Sequence, residues 1–306
     1  MGRRTVWVLI VVTVLASGLG AWVTLRARAE APLEAGHEHR EIGPRAARLA
    51  GGRLIPLAPR VRAQQARNML FAELQPVKIR NCELARYGEP HDGGYLACRN
   101  LLSSVRSAYS YGISGYDGWG CAIATELKVP VHQYDCFNTT EPVCSTGKTV
   151  FHAECIAGTQ SRDADGRLFD SMTAQLGKNG DAGKHVIVKM DVEGAEWESI
   201  LGTPDAVFDN IDQMIFELHG VDDNIARSLE MVLKLKKSFH IVNFHINNYS
   251  CLRGIQPFGG WAYEVTLVNK RLSEIDPGGT VAVPNALDTP NNPGAPDCQV
   301  VPGAIR

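Results

Sequence analysis

The stretch His185-Val186-Ile187-Val188-Lys189-Met190-Asp191-Val192-Glu193-Gly194-Ala195-Glu196-Trp197 decides the fold. Residues 185–190 form a short, almost wholly apolar run, the pattern of a strand buried on both faces of a parallel sheet. Asp191 closes the run, and a helix is expected over residues 195–201. Three acids within six residues at the carboxyl end of a strand are costly to hold together unless something uses them. Asp191 and Glu193 lie two apart, face the same way if the chain stays extended, and suit a cationic or hydroxyl-bearing ligand. Glu196, at the head of the helix, also favours its positive terminus.

The flanking segments extend this pattern. Residues 108–113, 129–134, 149–152 and 213–218 read as further strands, with helices over 119–127 and 224–237. The second of these helices carries Ile225, Leu229, Val232 and Leu233 at helical spacing. Residues 240–245 and 263–268 follow as two strands with no long helix between them. Alternation of strand and helix, ending in a strand pair, predicts an α/β domain with a mostly parallel sheet, covered on both faces, and an antiparallel edge.

In such a sheet a ligand sits at the carboxyl ends of the strands, where strand order reverses. The first strand ends in Tyr111-Gly112-Ile113-Ser114-Gly115-Tyr116-Asp117-Gly118, and its glycines would let a ligand approach the backbone closely. Asp135 closes the second strand, at a spacing from Gly112 that fits nucleoside recognition, where a carboxylate can accept both hydroxyls of a ribose. The turn is not G-x-G-x-x-G, and no Lys-Ser or Lys-Thr phosphate loop is present, so a cofactor with ribose but without pyrophosphate is favoured.

Asp191-Val192-Glu193-Gly194-Ala195-Glu196-Trp197 resembles the D-V-E-G-A-E-W stretch of FkbM-like methyltransferases that use S-adenosylmethionine (SAM). Arg86-Tyr87-Gly88, His91-Asp92-Gly93-Gly94-Tyr95 and Tyr109-Ser110-Tyr111-Gly112-Ile113 are similar to the related methyltransferase-like protein 24 group. The resemblance covers roughly residues 80–270 and rests on three motifs in order. It implies a Rossmann-like class I methyltransferase fold with seven strands, the last one antiparallel. It also implies that Gly112, Ile113, Ser114 and Gly115 hold the methionine part of SAM and that Asp135 binds its ribose hydroxyls, with Tyr111, Cys136 and Asp191 as further cofactor-binding candidates. The family turn carries an acid just before its glycines, and this one does not. Asp117 is the expected substitute as partner of the SAM amino group.

Methyl transfer to an alcohol needs alignment of donor and acceptor, and a base for the departing proton. His219, in Glu217-Leu218-His219-Gly220 at the end of the fifth strand, is the first candidate base and Glu193 the second. Asp92, Tyr95, Glu217 and His245 are the candidate acceptor-side residues, with Asp92 in a segment expected to cover the cofactor by family analogy. No metal site is assigned in this reading. The acceptor is expected to be a small molecule or a glycan.

The 31 basic and 33 acidic side chains leave a net charge of −2, which argues against nucleic acid as a partner, because phosphate recognition relies on a cationic surplus. Val6–Leu25 contains no charge and would span about 30 Å as a helix, the thickness of a bilayer core. Its length favours an uncleaved anchor over a signal peptide, for which Ala27 and Ala29 offer an A-x-A-like site. The expected organisation is a short tail at 1–5, an anchor at 6–25, a stem at 26–65, the methyltransferase domain at 66–273 and an irregular Pro- and Gly-rich tail at 274–306. The domain would be lumenal, in the Golgi or endoplasmic reticulum, or secreted after cleavage. Asn138 and Asn248 head glycosylation sequons. The eight cysteines predict disulfides rather than free thiols, with 105 full pairings open. Two alternatives share this layout. One is a Golgi glycosyltransferase using the D-x-D triplet Asp163-Ala164-Asp165 for a metal, and the other is a methyltransferase-shaped module without turnover.

Overall fold

A computed structural model describes residues 47–48, 54–55 and 59–298. Contacts divide the chain between Pro56 and Leu57. Before that division only Ala47–Arg48 (β1) and Leu54–Ile55 (β2) are described, and they pair antiparallel. The apolar stretch Val6–Leu25 lies outside the described residues. Among the described helices none is long and apolar enough to cross a membrane.

The second unit begins with helix α1 (Pro59–Glu73), whose first residue is a proline that is pre-set for helix entry. It runs across the 65/66 boundary expected between stem and domain, and Leu70 is fully buried. An antiparallel hairpin follows, Leu84–Gly88 (β3) with Gly94–Cys98 (β4). Next come β5 (Ser107–Tyr111), α2 (Gly118–Leu127), β6 (Val131–Tyr134) and β7 (Thr149–His152). A small sheet is formed by β8 (Glu154–Ile156), β9 (Ser161–Arg162) and β10 (Leu168–Asp170) in the order β8-β10-β9. The chain continues through α3 (Met172–Lys178), β11 (Val186–Met190), α4 (Glu196–Gly202), β12 (Ile211–His219), α5 (Ile225–Ser238), β13 (Phe239–Ile246) and β14 (Ala262–Asn269).

Seven of these strands form one sheet, in the order β7-β6-β5-β11-β12-β14-β13. Every residue of β5, β6, β11 and β12 is buried, as expected for central strands covered on both faces, and their polar members such as Gln213 and Lys189 are hydrogen-bonded. Side chains alternate between two cores. Val186, Val188 and Met190 point to the face covered by Trp197, Met231 and Leu235, and Ile187 to the face covered by Trp119 and Ile123. The hairpin is fastened to the sheet by the Gln213 side chain, which both donates to and accepts from the Cys98 backbone at 2.8 Å.

The expected antiparallel edge is corrected in one respect. β14 is the reversed strand, but it lies between β12 and β13, so the edge strand β13 runs with the others. All eight residues of β14 are buried, and it pairs along its length with β12 and β13. The fifteen-residue connection from Asn247 to Trp261 gives the chain room to insert it there. The register shift in β13 between Ile241 and Asn243 is a bulge on the outermost strand, where the Val77 N–H donates to the Ile241 carbonyl at 2.8 Å.

All eight cysteines pair: Cys82–Cys98, Cys121–Cys144, Cys136–Cys155 and Cys251–Cys298. Residues 274–298 contain no helix or strand, yet they are tied down along their length. Pro290 carbonyl meets His91, Asn291 donates to Asp92 and Glu264, and Asn248 donates to the carbonyls of Asn292 and Ala295. Asn248 is only 6% exposed, so its sequon does not present an acceptor nitrogen.

Candidate active site

Strand order reverses between β5 and β11, and the carboxyl ends of β5, β6 and β11 diverge around a cavity of about 460 Å³. That volume lies within the range of small-ligand pockets. The turn after β5 builds one side. Gly112 has φ +73°, and a Cβ there would overlap the carbonyl oxygen of Asp191. The glycine therefore lets the turns after β5 and β11 pack against each other, rather than clearing space for a ligand as the sequence suggests. Ser114 is held at φ +45°, and its N–H donates to Asp135 Oδ2 at 2.8 Å. The other Asp135 oxygen accepts the N–H groups of Phe137 and Asn138. Three backbone donors thus fix this carboxylate at the cavity wall.

Of the residues expected at a cofactor, Tyr111, Gly112, Ser114, Asp135 and Asp191 border the cavity; Ile113, Gly115 and Cys136 do not. Cys136 reaches it only through its disulfide partner Cys155. Asp117 is displaced from its expected role. It caps α2, accepting the Gly120 N–H at 2.7 Å through Oδ1 and the Gln133 amide at 2.8 Å through Oδ2, and it lies off the cavity. As the cap of α2, away from the cavity lining, Asp117 is not placed to meet an ammonium bound there. The apolar wall of Phe137, Ile156 and Phe169 has no counterpart in the sequence reading. Ile156 and Phe169 come from three-residue strands too short to show a period. Only the adjacency of Phe137 to Asp135 was available as a signal.

At the other end of the cavity the chain leaves β11 into a turn with Glu193 at φ +53° and Gly194 at φ +101°. Asp191 and Glu193 are therefore not an extended pair. The Asp191 side chain is 23% exposed and that of Glu193 is 82% exposed. Lys189 Nζ ties the two turns together, donating to the carbonyls of Tyr111 and Gly112 and to Asp191 Oδ2. Tyr95 donates to Asp191 Oδ2 at 3.0 Å and to Glu217 Oε2 at 3.3 Å. Burial and these two carboxylates hold its hydroxyl well above the ordinary tyrosine range.

His219 lies beneath this turn. Its Nδ1 is 2.9 Å from Oε1 of Glu196, a fully buried residue that also accepts the Val192 N–H. Its Nε2 faces Glu217 and Glu193 at 3.6 Å and Asp191 at 3.9 Å. Burial opposes a charge on the ring, but the hydrogen bond to Glu196 and the charges of Glu196 and Glu217 outweigh it and push its pKa up to about 11. In the absence of a bound cation these partners favour the protonated ring, which disfavours His219 as a free base. Burial and the neighbouring carboxylates of Asp191 and Glu264 raise Glu217, with His219 opposing them.

The remaining acceptor-side residues divide. Tyr95 and Glu217 join this cluster, whereas His245 is buried under the tail between Glu264 at 3.1 Å and Asp297 at 3.4 Å, off the cavity. Asp92 is exposed and holds Asn291 of the tail. Asp163 and Asp165 both pair with Arg167, at 2.6 and 2.7 Å, so the D-x-D triplet presents no free carboxylate pair. Comparison with known proteins adds no relative: no family model, no curated protein and no solved structure matches the chain.

Proposed function

We propose that the protein is a SAM-dependent methyltransferase acting on a hydroxyl of a carbohydrate or other small acceptor in the secretory lumen, anchored through Val6–Leu25. Asp135 carries the reading. It is a carboxylate at the carboxyl end of the second strand, bordering a cavity beside the reversal of strand order, the position at which nucleosides are received in open α/β sheets. The sheet, with seven strands and only the last reversed, agrees with the class I methyltransferase fold that the sequence resemblance implies. Four disulfides support an oxidising compartment.

The residues present fit the cofactor. Asp135 would take the ribose hydroxyls in charge-assisted hydrogen bonds, and Phe137 and Phe169 offer aromatic faces for a base. Bound there, SAM supplies a methyl group on a sulfonium, and its transfer depends chiefly on alignment. Glu193, exposed at the rim, remains the candidate to accept the acceptor's proton, because the carboxylates around His219 favour its charged form. Calorimetry with S-adenosylhomocysteine on the full chain made in an oxidising host is expected to show one site. Asp135→Ala is expected to weaken it by about 1–3 kcal/mol. No binding to the intact protein removes the reading, and unchanged affinity in the variant puts the ribose elsewhere.

A further inference from the structure

The geometry points to a divalent-cation site formed by Asp191, Glu217 and His219, at the end of the cavity away from Asp135. One ligand atom from each lies within 4.8 Å of the other two. His219 Nε2 is 3.6 Å from Glu217 Oε1 and 3.9 Å from Asp191 Oδ1, too far for hydrogen bonds. Two ligands on one ion, each at about 2.0–2.2 Å, lie roughly 3–4.4 Å apart, which matches both separations. His219 is 7% exposed, and its Nε2 has no hydrogen-bond partner among the described residues, yet it is aimed between the two carboxylates.

The surrounding groups are those that hold metal ligands in place. Glu196 engages Nδ1 and thereby turns Nε2 toward the cluster, the carboxylate–histidine arrangement typical of bound metals. Tyr95 donates to Asp191 Oδ2 at 3.0 Å, and Asn247 donates at 2.7 Å to Glu217 Oε1, the oxygen that faces His219. Four carboxylates, Asp191, Glu193, Glu196 and Glu217, stand around one lysine and one imidazole, and a divalent cation would displace the imidazole's second proton and take over its part in offsetting them. Two oxygens and one nitrogen suit a first-row ion such as Mn²⁺ or Zn²⁺. Asp191 also borders the cavity, so an ion here keeps coordination positions open toward it. A hydroxyl bound at those positions loses its proton more easily. That consequence rests on the methyl-transfer reading, whereas the cation site itself does not.

The test is Mn²⁺ binding to the full chain after treatment with a chelator, followed by calorimetry and electron paramagnetic resonance. One Mn²⁺ per chain is expected, with a spin-echo modulation from one histidine nitrogen. Glu217→Gln keeps the shape of the residue and its bond from Asn247, and it is expected to weaken Mn²⁺ at least tenfold without changing the melting temperature by more than a few degrees. His219→Gln is expected to abolish the nitrogen modulation. No binding at millimolar Mn²⁺, or equal binding by Glu217→Gln, overturns the site. S-adenosylhomocysteine binding measured without Mn²⁺ separates the two readings, because a chain that takes the nucleoside but no cation loses only this one.

Discussion

Two buried histidines on the same sheet are driven in opposite directions. His132, on β6, is 8% exposed and packs on the ring of Tyr109, with Nδ1 3.0 Å from Nε2 of His152. Burial and the neighbouring His152 depress its pKa to about 4, with Asp181 opposing only in part. His219, on β12 and equally buried, is pushed to about 11 because Glu196 and Glu217 touch its ring. Burial alone makes an imidazole neutral, and burial among carboxylates makes it a cation. The first site is a packing device in an aromatic stack, the second an electrostatic one at the edge of a cavity.

Glu196 decides the second case, so removing it has the largest expected effect. Glu196→Ala leaves a buried imidazolium without its closest partner and is expected to cost about 3–5 kcal/mol in chemical denaturation. Glu196→Gln should keep the fold better while lowering the His219 pKa, visible as a shift in its ring resonances on NMR titration. Retention of a pKa near 11 in that variant would mean that Glu217 alone holds the charge. A smaller effect is expected from Tyr95→Phe, which removes the donor shared by Asp191 and Glu217, at about 1–3 kcal/mol for carboxylates left without it.

The smallest effect sharpens the other side. A base whose folded pKa lies below its unfolded value of about 6.5 contributes stability above that pH and loses it as pH falls toward 4. His132 is therefore expected to lower the melting temperature on acidification from pH 7 to 4.5, and His132→Gln to flatten that slope. For His219 the sign is reversed. Its contribution is complete below about pH 6.5 and disappears only as pH rises toward 11. A wild-type curve that loses no stability between pH 7 and 4.5 would contradict the contrast.

Strands β5, β6, β7, β11, β12, β13 and β14 were legible in the sequence as short runs rich in apolar and aromatic side chains, with Val186–Met190 the clearest. Asp135 and Asp191 were legible for the same reason, since each closes such a run. The hairpin β3–β4 was not, because Leu84–Gly88 mixes Arg86 with alanine and glycine and depends on Gln213, more than a hundred residues away, to seat it. The role of Asp117 was missed because a helix cap and a ligand contact use the same side chain, and beyond the local bond from Gly120 only the folded position of Gln133 separates them. The charge on His219 was invisible because Glu196 reads as a helix-terminal acid until the fold brings it beneath the ring.

The link between Cys136 and Cys155 joins the tip of β6, next to Asp135, to the small sheet that supplies Ile156 and Phe169. One side of the receptacle is thereby set when the chain oxidises, before any guest arrives. Each later docking event is spared the loss of freedom that assembling that side would otherwise impose. A chain matured in a reducing cell would meet that loss at every encounter, and would bind more weakly although no residue facing the guest had changed.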